Sequence, residues 1–263
     1  MATKPNFGGK IDPQELRRMP SQSVTVRASS IDRQHQGPNH YWSKRVQNFP
    51  LFAGISPQDR ATMLGVARER QFARGETISI EGDQLRQVIL LTFGSAKMVQ
   101  CGQDGSAVIL RLCGPGELVG TLGVSMQERY RCTSQALTSC SALVWESVLF
   151  ESLSSRYPAL RLNVAYILYK QLEDMENRFR EISTERVPAR LGRQILRLVE
   201  QVGIRSNGSV EINMTREELA QLIGTSLFTV SRLLSEWDRR GIVATRREGF
   251  SVVNVEALAE LIA

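Results

Sequence analysis

Histidine is nearly missing from this chain. The only two, His35 and His40, lie in a stretch rich in Ser, Gln and Pro, so a histidine proton shuttle or a His-rich zinc site inside a folded domain is not available. Cysteine is sparse as well. Cys101, Cys113, Cys132 and Cys140 contain no Cys-x-x-Cys pair; this excludes zinc-knuckle and iron–sulfur spacing and predicts small buried hydrophobes in a reducing compartment. Apolar runs are short: Val88 to Leu91 is typical, far below the ~20 residues that cross a bilayer. The first thirty residues carry no apolar stretch of the signal-peptide kind. The expectation is a cytoplasmic protein with no membrane partner and no metal.

What remains is ordinary globular material. Hydrophobic residues make up 42% and charged residues 23% of 263 residues, enough for a packed core in two modest domains. The formal charge of +6 and a pI near 9.4 favour a polyanionic partner.

Texture divides the chain into four stretches. Residues 1–42 scatter Lys4, Lys10, Arg17, Arg18, Arg27 and Arg33 among Ser, Gln, Pro and Gly, a flexible basic arm. Residues 43–155 open with a short helix over about 56–70, signalled by Ser56-Pro57. The period then drops to about two: Phe72, Thr77–Ile80, Val88–Phe93, Ala96–Val99, Ala107–Cys113, Thr133–Leu137 and Ala142–Trp145 alternate with glycine turns, of which Asp104-Gly105 is the clearest hairpin. Many short, evenly spaced strands predict a small antiparallel barrel or jelly roll. Over 156–186 the pattern is helical. Ala165, Leu168, Leu172, Met175, Phe179 and Ile182 recur at spacings of 3 and 4, the pattern of a coiled-coil dimer seam. Tyr166 and Tyr169, one turn apart, are expected to pack. Glu173, Asp174 and Glu176 belong to a solvated face rather than to a metal or acid–base site.

Pro188 introduces the smaller unit, 187–263. An amphipathic helix from Arg190 to Val202 and a strand at Val210–Ile212 lead to Thr215-Arg216-Glu217-Glu218, which has the form of a capping box. One helix then covers Glu217–Ile223, Gly224-Thr225 turn, and Ser226 caps a second helix to Arg240. Ile242–Ala244 and Phe250–Val253 pair around Glu248-Gly249. Two short helices joined by a glycine turn and followed by a basic hairpin form a winged helix-turn-helix. Leu219, Ala220, Ile223, Val230, Leu233 and Leu234 supply the crossing, leaving Ser226, Phe228, Thr229 and Arg232 for a major groove. Arg232 suits the paired acceptors of guanine, and Thr225, Ser226 and Thr229 suit phosphates or base edges. Arg246 and Arg247 extend the contact to the flanking backbone. With Thr215, Arg216, Leu227 and Ser231 these are the candidate residues for double-stranded DNA. Gly114-x-Gly116 with Gly120 is a turn, since no βαβ unit follows.

The segment MTREELAQLIGTSLFTVSRLLSEW, Met214 to Trp237, preceded by a β-roll containing GPGELVG (Gly114 to Gly120) and a long helix, closely resembles the CRP/FNR superfamily of bacterial transcription regulators over residues 49–258. The resemblance implies an α+β protein. It would have an N-terminal antiparallel β-roll of the cyclic-nucleotide-binding type (a jelly roll), a long dimerisation helix and a C-terminal winged helix-turn-helix. It further implies a homodimer, a sensor domain for an effector, palindromic promoter sites and RNA polymerase as a partner. Ser231 and Arg232 match the family's recognition helix, whereas Phe228 stands where many members carry an acidic residue and Leu227 where some carry an arginine.

The implied effector pocket maps onto Gly116, Glu117, Leu118, Gly120, Thr121, Tyr130, Arg131 and Cys132. The nucleotide-binding branch has Gly-Glu and Arg-Ser where this chain has Gly120-Thr121 and Tyr130-Arg131-Cys132, which argues against cyclic AMP. No clustered N-terminal cysteines and no sensor-domain histidine are present, which argues against an iron–sulfur cluster and haem. No catalytic motif follows Arg186, so a regulatory β-roll on an enzyme is set aside. Two readings remain: an effector-responsive regulator, activator or repressor, and a constitutive DNA-binding dimer whose β-roll has lost its ligand.

Overall fold

The computed structural model describes residues 45–120, 129–206 and 208–262; the basic arm and Thr121 lie outside them. After a 3₁₀ turn at Pro50–Phe52 comes α1 (Pro57–Gly65), which starts where the sequence signals it: the Ser56 hydroxyl accepts from the Asp59 amide at 3.1 Å. Among the described residues eight strands follow: β1 (Arg68–Phe72), β2 (Thr77–Ser79), β3 (Gln87–Phe93), β4 (Ala96–Cys101), β5 (Ala107–Cys113), β6 (Leu118–Val119), β7 (Thr133–Ala136) and β8 (Cys140–Glu146). They pair antiparallel in two sheets, ordered β1-β8-β3-β6 and β2-β7-β4-β5.

The apolar run in β3 is explained by burial on both faces. Ile89 and Leu91 point between the sheets, with Phe72, Met98, Val119 and Val144. Val88 and Leu90 point the other way, into a second cluster with Met63, Leu118, Trp145 and Phe150 that the helices cover. The Trp145 indole donates to the Met63 carbonyl at 2.9 Å, so the largest buried side chain of this cluster also satisfies its polar atom. Cys113, Cys132 and Cys140 sit between the sheets as free thiols, while Cys101 is half-buried.

The helix expected over 56–70 ends at Gly65 instead, and Arg68–Phe72 is a strand. Arg68 to Gln71 suit an exposed helix by propensity, yet Arg68 through Phe72 pair residue by residue with Val144 through Cys140. Tertiary pairing overrides local preference here.

α2 (Ser147–Arg156) runs to Tyr157, whose extended backbone before Pro158 breaks the helix. α3 (Pro158–Thr184) is the long helix and α4 (Val187–Gln201) follows after two residues. The C-terminal unit adds β9 (Ile204–Ser206), β10 (Ser209–Ile212), α5 (Arg216–Ile223), α6 (Leu227–Arg239), β11 (Val243–Arg246), β12 (Gly249–Val252) and α7 (Val255–Glu260), with sheet order β11-β12-β10-β9. The short strands β6 and β9 carry no sequence signal. Among the described residues, no helix is long and apolar enough to cross a membrane.

Candidate nucleic-acid interface

The reading head is built by local chemistry. Thr215 and Glu218 close a reciprocal capping box at the start of α5: the Thr215 hydroxyl accepts from the Glu218 amide at 3.1 Å, and the Glu218 carboxylate accepts from the Thr215 amide at 2.9 Å. The Thr215 hydroxyl is therefore committed to the helix end. Gly224 ends α5 in the left-handed region at φ 65°, a conformation that other residues reach only with strain. Ser226 caps α6, accepting from the Thr229 amide at 3.2 Å, and the two hydroxyls lie 2.9 Å apart. Leu219, Ala220, Leu222 and Ile223 of α5 meet Val230, Leu233, Leu234 and Trp237 of α6 in a single apolar cluster.

That crossing turns the rest of α6 outward. Phe228 is 77% exposed, Leu227 is exposed beside it, and Arg232 is exposed with no hydrogen-bond or ion-pair partner among the described residues. Thr225, Ser226, Thr229 and Ser231 are half-buried on the same end of the helix. The wing is fastened to α6 by Asp238, which accepts from the Thr245 amide at 3.1 Å and from its hydroxyl at 2.5 Å. These bonds hold the Asp238 carboxyl below its ordinary range. Gly249 is required by close approach, since a Cβ there would run into the Ile212 carbonyl oxygen.

The two wing arginines are not equivalent. Arg246 is bound within the sheet, to Glu211 at 3.0 Å and Asn213 at 2.7 Å. Arg247, next to it, is exposed.

The seam positions of α3 form an uncovered stripe. Leu172, Met175, Phe179 and Ile182 are all exposed, Phe179 to 72%; Ala165 is exposed and Leu168 half-buried. Tyr166 and Tyr169, expected to pack, are exposed as well. They lie on the free surface of the helix because no described part of this chain reaches it.

The eight residues mapped as an effector pocket are only partly brought together. Glu117, Arg131 and Cys132 line a cavity of about 820 Å³ between the β-roll, α3 and α4. Leu118 belongs to the helix-covered core, Gly116 packs on the Phe49 ring, and Gly120 packs on the Tyr130 ring. The Tyr130 hydroxyl donates to the Gln87 carbonyl at 3.1 Å. The cavity's other charged walls are not signalled as a site by the sequence: Arg111 on β5, Arg178 and Arg180 on α3 and Arg193 and Arg197 on α4, with Asp174 and Glu181 joining Glu117 as the acidic groups. They come from elements distant in sequence, so no local motif marks them. Glu181 is buried and ion-paired to Arg197, with Arg193 at 3.9 Å. The excess of guanidinium groups makes the cavity chemically suited to an anion.

Comparison with known proteins agrees with this architecture. The model of the Crp-like helix-turn-helix domain matches residues 189–261, and that of the cyclic nucleotide-binding domain matches residues 69–157. The chain is 25% identical, over 77% of its length and 91% of the relative's, to a CRP-like cAMP-activated global transcriptional regulator of Mycobacterium tuberculosis. It is 29% identical, over 82% and 96%, to a cyclic AMP receptor protein of Thermus thermophilus. The solved structure of FixK2 from Bradyrhizobium japonicum shares the fold at a TM-score of 0.66 with 20% identity, covering 75% of this chain and 98% of that one. Two domain matches in this order, joined by near full-length agreement with transcriptional regulators rather than enzymes, show that the chain belongs to the CRP/FNR superfamily.

Proposed function

We propose that the protein is a homodimeric, effector-responsive regulator that reads an inverted-repeat promoter site in the cytoplasm and works there with RNA polymerase. The observation that carries this reading is the outward face of α6, where Arg232 and Phe228 stand free at the point a helix-turn-helix presents to a major groove, with Arg247 exposed on the wing. The uncovered apolar stripe of α3 supports pairing through that helix. Two copies would then present two recognition helices to one duplex. Selection of bound sequences from a random DNA pool tests the reading: dyad-symmetric sites are expected, and sites without dyad symmetry would overturn it.

The basic cavity supports an effector, as against a β-roll that serves only dimerisation. Two relatives are named for cyclic AMP, but Thr121 stands where the nucleotide-binding branch carries its ribose-binding glutamate. The effector we infer is an anionic small molecule other than cyclic AMP. A thermal-shift panel of anionic metabolites checks this, because a ligand at 100 times its dissociation constant adds about 2.7 kcal/mol to the stability.

A further inference from the structure

Arg178 lies on α3 between the seam residues Met175 and Phe179, and its side chain reaches across to β5 and α5. Its guanidinium donates to three backbone carbonyls on two other elements: Leu110 and Ile109 of β5, the latter at 3.3 Å, and Leu222 of α5 at 2.7 Å. Each acceptor has a reason to be free. β5 is an edge strand, and Leu110 is the extra residue of a bulge, since Met98 pairs with Arg111 and Val99 with Ile109. Edge strands and bulges leave carbonyls without ladder partners. Leu222 lies in the last turn of α5, where carbonyls have no intrahelical donor and favour a cation. The same apolar cluster runs across the junction, with Ile109, Leu112 and Leu137 of the β-roll packed among Leu219, Leu222 and Ile223.

A second arginine secures the other side of this joint. Arg190 of α4 donates to Ile182 at 3.1 Å and Glu185 at 3.3 Å, around the end of α3, and to Ile223 at 3.2 Å and Gly224 at 3.4 Å. Arg190 thus fastens the head to the end of the long helix. Of the two, Arg178 alone also reaches the β-roll, and it lines the basic cavity. It joins, at one guanidinium, the dimer helix, the sensor and the first helix of the reading head. A planar fork of N–H donors can serve several carbonyls at once, which a lysine cannot do in the same way.

We propose that Arg178 is a positioning residue for DNA recognition: it sets the angle of the reading head against α3 and the β-roll, so that two heads in a dimer stand at a fixed separation. Arg178 touches no DNA. The inference rests on the dimeric reading above, and its test separates the two. Removing the guanidinium takes away the contacts from α3 to β5 and the end of α5 and loosens the head about Glu185-Arg186, against the Arg190 bonds, the Lys97–Glu218 pair and the apolar cluster that remain, without altering the α6 surface. Binding of both heads to one duplex then loses effective concentration, while each head's own contacts persist.

The experiment compares the full-length wild type with Arg178→Ala, and with Arg178→Gln should the alanine variant not fold. Affinities are measured for the selected inverted repeat, for spacer-length variants of it and for a single half-site. The expected result for the variant is a loss of about tenfold or more on the inverted repeat, a flattened preference for spacer length, and half-site affinity unchanged within about twofold. Trypsin, acting after the exposed Arg186, should cut the variant several times faster. A folded variant that keeps both its inverted-repeat affinity and its spacer preference overturns the proposal. Equal loss on the half-site also overturns it, since the head itself would then be damaged. If the wild type shows no preference for the repeat over the half-site, the dimeric reading has failed; equal trypsin rates would then overturn the clasp as well.

Discussion

Lys97 of β4 and Glu218 of α5 meet at 2.7 Å with only 14% of each side chain exposed. Burial alone would push the Glu218 carboxyl up, but the Lys97 ammonium and the Thr215 cap outweigh it and hold the carboxyl below its ordinary range. A folded-state value below the unfolded one stabilises the protein above pH ~4.3, and that contribution fades as pH falls through the lower folded value. Lys97→Met leaves a buried carboxylate without its partner and should cost about 1–3 kcal/mol at pH 7 in denaturant melts. Repeating the melts near pH ~4 should narrow the gap between variant and wild type, because protonating Glu218 removes the unpaired charge.

The capping box makes a local prediction of its own. Thr215→Ala should cost about 1 kcal/mol in thermal or urea unfolding, as one amide of α5 loses its acceptor. Since the hydroxyl is already bound to Glu218, DNA affinity corrected for folding should change little.

The stripe on α3 predicts a solution dimer that a single charge breaks. Leu172→Glu and Met175→Glu each place two like charges inside an apolar seam, at a cost of several kcal/mol. Light scattering should show the mass halved for both variants. An unchanged dimer would remove α3 as the seam.

Base reading and backbone contact should separate cleanly. Arg232→Ala is expected to cost about 1–3 kcal/mol and to relax the preference for guanine at one position of each half-site. Phe228 has no acceptor for cytosine; a thymine methyl is expected opposite it, and Phe228→Ala should erase that preference. Arg247→Ala should weaken all sequences alike and flatten the salt dependence by about one unit of slope. Arg246→Ala should change the slope less, because Glu211 and Asn213 already hold its guanidinium. Fluorescence anisotropy over a salt series measures all four.

The buried thiols should be slow to react. Desolvation pushes Cys113 up to about 12 and Cys132 and Cys140 up to about 11, so at pH ~8 few are thiolates. Iodoacetamide on the native protein, followed by mass spectrometry, should label the half-buried Cys101 first and the other three only on unfolding.

What the sequence determined by itself is what depends on neighbours within a few residues. The Thr215–Glu218 cap, the Gly224 turn, the heptad stripe of α3 and the short apolar run of β3 are short-range patterns of hydrogen bonding and residue spacing, and they suffice for the β-roll, the long helix and the winged head. Tertiary structure decided where strong local preferences met distant partners. Arg68 to Phe72 became a strand because β8 offered a ladder. Arg246 was drawn to Glu211 and Asn213, leaving Arg247 exposed at the wing. The cavity draws its guanidinium groups from strands and helices far apart in the chain, and Arg178 finds its acceptor at Leu222, 44 residues away. Such contacts come from packing an edge strand, a helix end and a long helix against one another, and no periodicity along the chain records which carbonyls that packing leaves open.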